Sequence, residues 1–372
     1  MKSILISIPW FTPAYKAGGP VQSVLNMVNQ CNEELNFSVV TADTDIDDIQ
    51  LPITHSNKWL YFNDHTKVIY ISAQNRYRKL IAAFKSEKYE VAFLTGIYSF
   101  SFTLLPLFFN RASRYIISVR GMLHPSALSQ KKFKKKIYLS ILKPILILKK
   151  VEFHATDEIE KECILSFMGE HAKVWVAQNI PKILESNVSS KQSGKLRLLT
   201  VALIGPMKNY LEVLKALSEI TAEIEYDICG PIYWPEYWVA CQKIIAKLPS
   251  NIKVNYHGAI PPEKLSPLYG KAHVFICPSQ SENFGHAIYE AFSAGKPVIT
   301  SFNTPWNDLK KQVIGLNIQP QKEEIIAAVD FFCKMDNTEY ALWSKSAASY
   351  ARKSVIIEEA KQNYKKMFNS SY

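Results

Sequence analysis

No apolar run in this chain of 372 residues reaches the roughly 18 residues a helix needs to cross a bilayer. The start, Met1-Lys2-Ser3-Ile4-Leu5-Ile6-Ser7-Ile8-Pro9, is apolar but is stopped by proline and lacks a small-residue cleavage site. It reads as a first buried strand and not as a secretory signal. The six cysteines (Cys31, Cys163, Cys229, Cys241, Cys277 and Cys333) are scattered, with no C-x-x-C pair and no clustering with histidine. That spacing suggests neither a zinc site nor a disulfide framework, and it fits a reduced cytoplasm. Tandem repeats and low-complexity segments are missing too. Residues 131–150 lack acid altogether while carrying eight lysines.

That last absence decides how the net charge of +11 is read. Residues 1–180 hold 22 Lys/Arg against 15 Asp/Glu, so without the lysine-rich stretch this half is close to neutral. The basicity is a patch, which disfavours a nucleic-acid-binding surface spread over the molecule. Five of the first six residues of the patch are lysine, followed by Ile137-Tyr138-Leu139-Ser140-Ile141-Leu142. Pro144 is expected to interrupt any single long helix there. The segment reads either as a packed helix with a solvated basic face or as an interfacial element drawn to anionic lipid.

Hydrophobic content of 48% with 21% charged residues marks a globular chain, and its length exceeds one ordinary core. Apolar runs at 3–8, 37–41, 68–71, 91–94, 115–119 and 153–155 are strand candidates, with helical periodicity between several of them, as at 20–30 and 78–86. The pattern lapses over 179–195 and then resumes. Strands are expected at 196–203, 225–229, 253–256, 273–277 and 297–300, and helices at 209–220, 237–247 and 263–269. Alternation of this kind implies parallel sheets wrapped by helices. We therefore expect an α/β protein with a first domain at 1–180, a second at 195–350 and a helical tail at 351–372. Two Rossmann-like halves in sequence predict a cleft between them.

Against that frame the stretch Ser281-Glu282-Asn283-Phe284-Gly285-His286-Ala287-Ile288-Tyr289-Glu290 stands out. It follows an apolar strand and runs into a helix. Helical periodicity accounts for Ile288, Ala291 and Phe292 as core, but not for Glu282 ahead of the helix or Glu290 within it. Free amides at a helix start favour anions, carboxylates accept hydrogen bonds from hydroxyls, and Gly285 lets a ligand approach the backbone. A plain reading, two solvated acids near the positive end of a helix dipole, is the alternative. Lys208, at the start of a helix after the first strand of the second half, is poorly placed for a bare cation. A bound diphosphate would reverse that balance.

The order Pro278-Ser279, Glu282, Phe284-Gly285, Glu290-Ala291, Gly295, Pro297-Val298-Ile299 resembles the E-x7-E signature of retaining, nucleotide-sugar-dependent glycosyltransferases of family 4, which have the GT-B fold. Pro13, Tyr15, Gly18 and Gly19 resemble that family's N-terminal glycine loop, and Asn179-x-Pro181 its domain junction. The resemblance covers nearly the whole chain, and Arg120-Gly121-Met122-Leu123 is similar to a subgroup of surface or capsular polysaccharide assembly.

This resemblance implies two Rossmann-like domains facing across a cleft, with the C-terminal helix returning to the N-terminal, acceptor-binding domain. It implies a nucleotide-sugar donor and a glycan or polyprenyl-diphosphate-linked acceptor, with transfer at the inner face of the membrane. Glu290 would hold the ribose hydroxyls and Glu282 the hydroxyls of the donor sugar. Lys208 would share the phosphates with the amides around Asn283, Phe284, Gly285 and His286, and Gly18 and Gly19 would face the phosphates and acceptor. The family's usual arginine five residues before the lysine is replaced by Leu203. Arg120, at the end of an N-domain strand, is the candidate replacement or a contact to an acceptor phosphate. No cofactor and no metal are expected. Asp43-Thr44-Asp45 matches a metal motif of the other glycosyltransferase fold but reads as a solvated loop. A catalytically silent GT-B scaffold is the alternative function, with Leu203 as its pointer.

Overall fold

A computed structural model describes residues 1–31, 35–129 and 132–370. Lys131, at the head of the basic segment, and Ser371 and Tyr372 of the tail lie outside the described residues. In chain order the strands are β1 (Lys2–Ser7), β2 (Leu35–Ala42), β3 (Trp59–Asn63), β4 (Thr66–Ile71), β5 (Val91–Thr95), β6 (Arg114–Ser118), β7 (Glu152–Ala155) and β8 (Val174–Val176). Then come β9 (Lys195–Val201), β10 (Glu223–Cys229), β11 (Ile252–Tyr256), β12 (Val274–Cys277), β13 (Val298–Ser301) and β14 (Gly315–Ile318).

The chain divides into two units, residues 1–180 with 357–372 and residues 181–356. The first holds a sheet ordered β3-β4-β2-β1-β5-β6-β7-β8, parallel except for the β3–β4 pair. The second holds a parallel sheet ordered β11-β10-β9-β12-β13-β14. The central strands of both sheets are covered on both faces. In β1, Ile4 and Ile6 enter one core and Leu5 the other. In β12, Val274 and Ile276 face away from Phe275 and Cys277 in the same manner. Period-2 alternation thus serves two apolar faces at once, which is why these strands read as unbroken runs in sequence.

The structure differs from the sequence expectation in three edge strands, in the helix that contains Pro144 and in the tail. β3, β8 and β14 have no counterpart among the expected strands; each lies at a sheet edge and is at most half buried along its length. Pro144 does not end its helix, which runs from Lys132 to Leu148. Leu139, Leu142 and Leu146 anchor that helix in the core, while Ser140 and Pro144 are exposed, so the carbonyl that proline leaves unpaired has water as a partner. The tail is two helices, Asn337–Ser354 and Ile357–Asn369, and only the second belongs to the first unit.

That last helix is tied down at its carboxyl end. Arg114, buried on β6, grips Glu152 of β7 with a two-pronged ion pair at 2.9 and 2.6 Å. Its Nη1 also donates to the carbonyls of Met367 and Ser370. Helix-end carbonyls need such partners. Tyr364 and Phe368 complete the core beneath β1 and β5.

Residues 181–194, whose composition suggests a linker, are bonded along the second unit. Leu184 N donates to Ser293 Oγ at 3.0 Å, and Lys191 Nζ caps the carbonyls of Cys333 and Met335. The fully buried Lys296 donates to Asn187 O, Asn187 Oδ1 and Ser189 Oγ at 2.7–3.0 Å. Burial pushes that lysine down to about 8.

Candidate functional site

In the second unit the strand order reverses direction between β9 and β12. Open parallel sheets bind ligands outside the carboxyl ends of the strands at such a switch point. The chain leaving β9 reaches a single 3-10 turn, Pro206–Lys208, and the chain leaving β12 reaches Pro278–Glu282. These two loops are stitched together. Asn209 Nδ2 donates to Pro278 O at 2.6 Å, and Gln280 N donates to Met207 O at 2.8 Å. Asn209 holds a left-handed backbone (φ 55°), a conformation asparagine tolerates, and from there opens the helix Tyr210–Leu217.

Across this seam Lys208 pairs with Glu282, each side chain only 16% exposed. Ser279 Oγ donates to the same carboxylate oxygen, Oε1, at 2.9 Å. Both bonds fall on Oε1 and neither uses Oε2. Burial works against the lysine's charge, but Glu282 outweighs it and Lys208 is held above its ordinary value. The pairing answers the electrostatic problem posed by the sequence, since the lysine at a helix start is neutralised by the acid eight residues before Glu290.

Gly285 begins the next element. Its left-handed backbone (φ 76°) turns the chain into the helix His286–Ser293, and its carbonyl accepts from the amides of Ile288 and Tyr289 at 2.9 and 3.1 Å. A Cβ on Gly285 would lie 3.1 Å from Ile288 Cδ1, so both the turn and the space favour glycine. Trp306 Nε1 donates to Phe284 O at 2.6 Å, and the Phe284 ring packs between Trp306 and His286. The loop is thereby braced from below by an aromatic cluster.

Glu290 lies one turn into the helix and is buried. Its Oε2 accepts from Tyr269 Oη at 3.1 Å. Burial lifts the carboxyl to about 7, opposed by that hydrogen bond and by the charge of Lys182. Lys182 and Tyr269 were not among the sequence candidates. Lys182 sits just past Asn179-x-Pro181, and Tyr269 falls in an ordinary amphipathic pattern, so the sequence carried no signal for either. Trp234, 39% exposed, lies over the β9 loop, because a Cβ on Gly205 would fall 2.4 Å from its ring. The aromatic run after β10 thus flanks the segment that carries Lys208.

Gly18, Gly19 and Arg120 belong to the first unit. Gly18 has a left-handed backbone (φ 69°) and caps the helix Gly19–Gln30, with Pro20 in its first turn. Asp45 holds the approach to this loop, accepting from the amides of Tyr15 and Lys16 at 2.9 and 3.2 Å. Asp43 accepts from Gln50 and Ser56. This corrects the solvated reading of Asp43 and Asp45, which are both buried and accept from loops of their own unit, Asp43 through Oδ2 only. Among the described residues no group of three or more His, Cys, Asp or Glu side chains could hold a metal ion.

Arg120 follows β6 with a left-handed backbone (φ 56°), unusual for a non-glycine residue. Its Nη1 donates to Asn179 Oδ1, while Nε and Nη2 are buried without a formed hydrogen bond among the described residues. Gly121 N donates to the buried Glu160 at 2.5 Å. His154 lies nearby, and burial together with the Arg120 charge pushes it down to about 3. His154 is therefore neutral, accepting at Nδ1 from Ser118 Oγ and donating from Nε2 to Ala177 O. The structure thus brings Lys208, Glu282, Asn283, Phe284, Gly285, His286 and Glu290 into one unit, and Gly18, Gly19 and Arg120 into the other.

Residues 182–349 match the family model described as glycosyl transferases group 1. Solved structures match over the whole chain. HepE of Anabaena in complex with UDP and glucose has a TM-score of 0.72 at 13% identity, covering 100% of both chains. Sucrose-phosphate synthase of Thermosynechococcus elongatus has a TM-score of 0.71 at 18% identity, again over 100% of both chains. WaaG, a glycosyltransferase involved in lipopolysaccharide biosynthesis, has a TM-score of 0.66 at 12% identity and covers 99% of this chain and 100% of its own. No curated protein matches the sequence. At these identities the likeness establishes the fold, and the fold is GT-B: two Rossmann-like sheets.

Proposed function

We propose that this protein is a retaining, family 4-type glycosyltransferase that moves a sugar from a nucleotide-sugar donor to a growing glycan. The observation that carries the reading is the Lys208–Glu282 pair at the β9/β12 switch point, with the buried Glu290 one turn along the same element. A switch point built from a cation, two carboxylates and the start of a helix matches the parts of a nucleoside diphosphate sugar. Glu290 suits the ribose hydroxyls, the amides of Phe284 to Ala287 suit the phosphates, and Glu282 Oε2 suits a hydroxyl of the donor sugar.

On this reading Lys208 supplies the chemistry. Cleavage of the glycosidic bond places negative charge on the β-phosphate of the leaving nucleotide. A lysine already fixed by Glu282 and Ser279, and amides fixed by the Gly285 turn, meet that charge without reorganising. They therefore stabilise the transition state more than the ground state. Lys182 is a second cation within the same unit, and it supports the reading despite Leu203 standing where the family has arginine.

We assign Arg120 to an anionic group of the acceptor, such as the diphosphate of a polyprenyl carrier. Its left-handed backbone is the mark of a residue held for a ligand, and its guanidinium is positioned by Asn179 and by the buried Tyr364 hydroxyl. Gly18 and Gly19 would let acceptor or donor atoms approach the start of their helix. A surface or capsular polysaccharide precursor, made in the cytoplasm where nucleotide sugars and reduced thiols coexist, is the setting this reading fits.

The test is donor binding and transfer in the full-length protein, across a panel of nucleotide sugars. One member of the panel should raise the melting temperature. Lys208→Ala should lower kcat/KM on the order of 100- to 1000-fold, the range for removing one transition-state charge donor. A donor-induced thermal shift without any transfer would favour the silent scaffold instead. No shift with any nucleotide sugar would overturn the donor site itself.

A further inference from the structure

The helix Lys132–Leu148 carries apolar residues on the side that faces away from its own core. Leu139, Leu142 and Leu146 are buried in the first unit. At 100° per residue the opposite pole falls near Phe133, Ile137, Ile141, Pro144 and Leu148, with Ile147 at its border. A surface helix normally shows charge there. Here Phe133, Ile137, Ile141, Ile147 and Leu148 are 77%, 46%, 62%, 57% and 81% exposed. These are not single strays but one continuous ridge along the helix, the kind of patch that calls for a covering partner.

The cations border that ridge. On the same wheel Lys132, Lys136 and Lys143 fall on one side of it and Lys134 on the other. Beyond its end, the Lys149 ammonium lies 5.5 Å from the ring centre of Phe108, itself exposed. The stretch 131–150 has eight lysines and no acid. No helix among the described residues is long and apolar enough to cross a membrane. Charge selects the occupant: a second copy would bring its own lysines against these, whereas an anionic lipid surface offers acyl chain to the ridge and phosphate to its borders.

We propose that the helix Lys132–Leu148 seats the first unit on an anionic membrane surface. Phe133, Ile137, Ile141 and Leu148 enter the boundary between headgroups and acyl chains, and Lys132, Lys134, Lys136 and Lys143 contact the headgroups. The exposed ridge identifies which apolar residues of the interfacial element insert. This inference is independent of the proposed sugar transfer, and its readout is binding.

Cosedimentation of the full-length protein with vesicles of phosphatidylcholine, alone or mixed with phosphatidylglycerol, tests it. Binding is expected only to the mixed vesicles. Replacing Lys132, Lys134, Lys136 and Lys143 by glutamine should weaken partitioning on the order of 100-fold, since each lysine contributes electrostatic attraction at the surface. The combined Phe133→Ser, Ile137→Ser and Ile141→Ser variant should also lose binding while keeping the parent's melting temperature, because all three are exposed. Phe133→Trp should show a blue-shifted emission component, quenched by brominated lipid. Equal binding to neutral vesicles, or binding unchanged in the serine variant, would overturn the proposal. So would a lipid-free dimer that the serine variant abolishes, which would give the ridge to a second copy.

Discussion

Glu290 shows how one residue can serve a site at the expense of the fold. Its carboxyl rises from an ordinary 4.5 to about 7 because burial penalises the charged form. The folded state therefore holds the proton more tightly than the unfolded chain. The stabilisation is present in full below about pH 4.5 and is lost as pH rises through about 7. A ribose diol needs the opposite form, the carboxylate that accepts. Donor affinity is thus expected to rise through the same window in which the empty protein loses stability. Glu290→Gln, which keeps the Tyr269 bond, should flatten both profiles. At pH 8 it should stabilise the empty protein by up to about 3 kcal/mol, the energy equivalent of that shift, and lose the stabilisation conferred by donor. Thermal denaturation with and without nucleotide sugar from pH 5 to 8 checks both signs. A variant less stable than the parent at pH 8 would show that Glu290 is a structural acid.

At the scale of the element, the carboxyl ends of β9 and β10 are where backbone pieces meet most closely. Gly230, just past β10, carries φ +151°, and a Cβ there would fall 1.9 Å from Ala202 O. Gly230 N donates to Gly258 O, and Ala202 N donates to Cys229 O, so neither loop can retreat without breaking ladder bonds. Gly230→Ala is expected to cost on the order of 3 kcal/mol, the upper range for overpacking, and to displace the β9 loop that carries Lys208. Both the melting temperature and the donor-induced shift should fall, whereas Gly194→Ala, with open space around its Cβ, should cost less.

Most interior elements were legible from local pattern. Strands buried on both faces must be apolar at successive positions, so β1, β2, β4, β5, β9, β12 and β13 stand out without any knowledge of their neighbours, whereas β10 shows as alternation of Glu223, Glu225 and Asp227 with Ile224, Tyr226 and Ile228. Three of the four edge strands, β3, β8 and β14, escape because at least half of their residues are not buried: β3 reads Trp-Leu-Tyr-Phe-Asn, with Tyr61 and Phe62 exposed. Pro144 misled for a related reason. Proline's penalty is large only where its lost hydrogen bond has no substitute, and water provides one on an exposed face.

At the scale of the molecule, the first unit is completed by the end of the chain. Arg114 and Glu152 are each only 4% exposed, and the guanidinium also holds the last carbonyls of Ile357–Asn369. Removing one member of a buried pair leaves the other uncompensated. Arg114→Met is expected to destabilise by roughly 3–5 kcal/mol and to free the tail. Limited proteolysis should then cut near Ser354–Ile356, while donor-induced stabilisation, which depends on the second unit, persists. Resistance of the tail to cleavage would show that Tyr364 and Phe368 hold it unaided.

The sequence by itself determined the alternation of strands and helices, the basic patch and the suspicious placement of Glu282, Gly285 and Glu290. These are properties of spacing along the chain, and spacing suffices where a helix or strand converts it directly into a face. It could not determine that Lys208 spends its charge on Glu282, that the buried Glu290 meets the Tyr269 hydroxyl and the charge of Lys182, or that Asp45 holds the loop before Gly18. Nor could it show that the lysine-bordered helix presents an apolar ridge to the outside. Each of those facts joins residues that are distant along the chain, or depends on which pole of a helix the core takes. Strand order, sheet register and packing settle such choices, and only tertiary structure contains them.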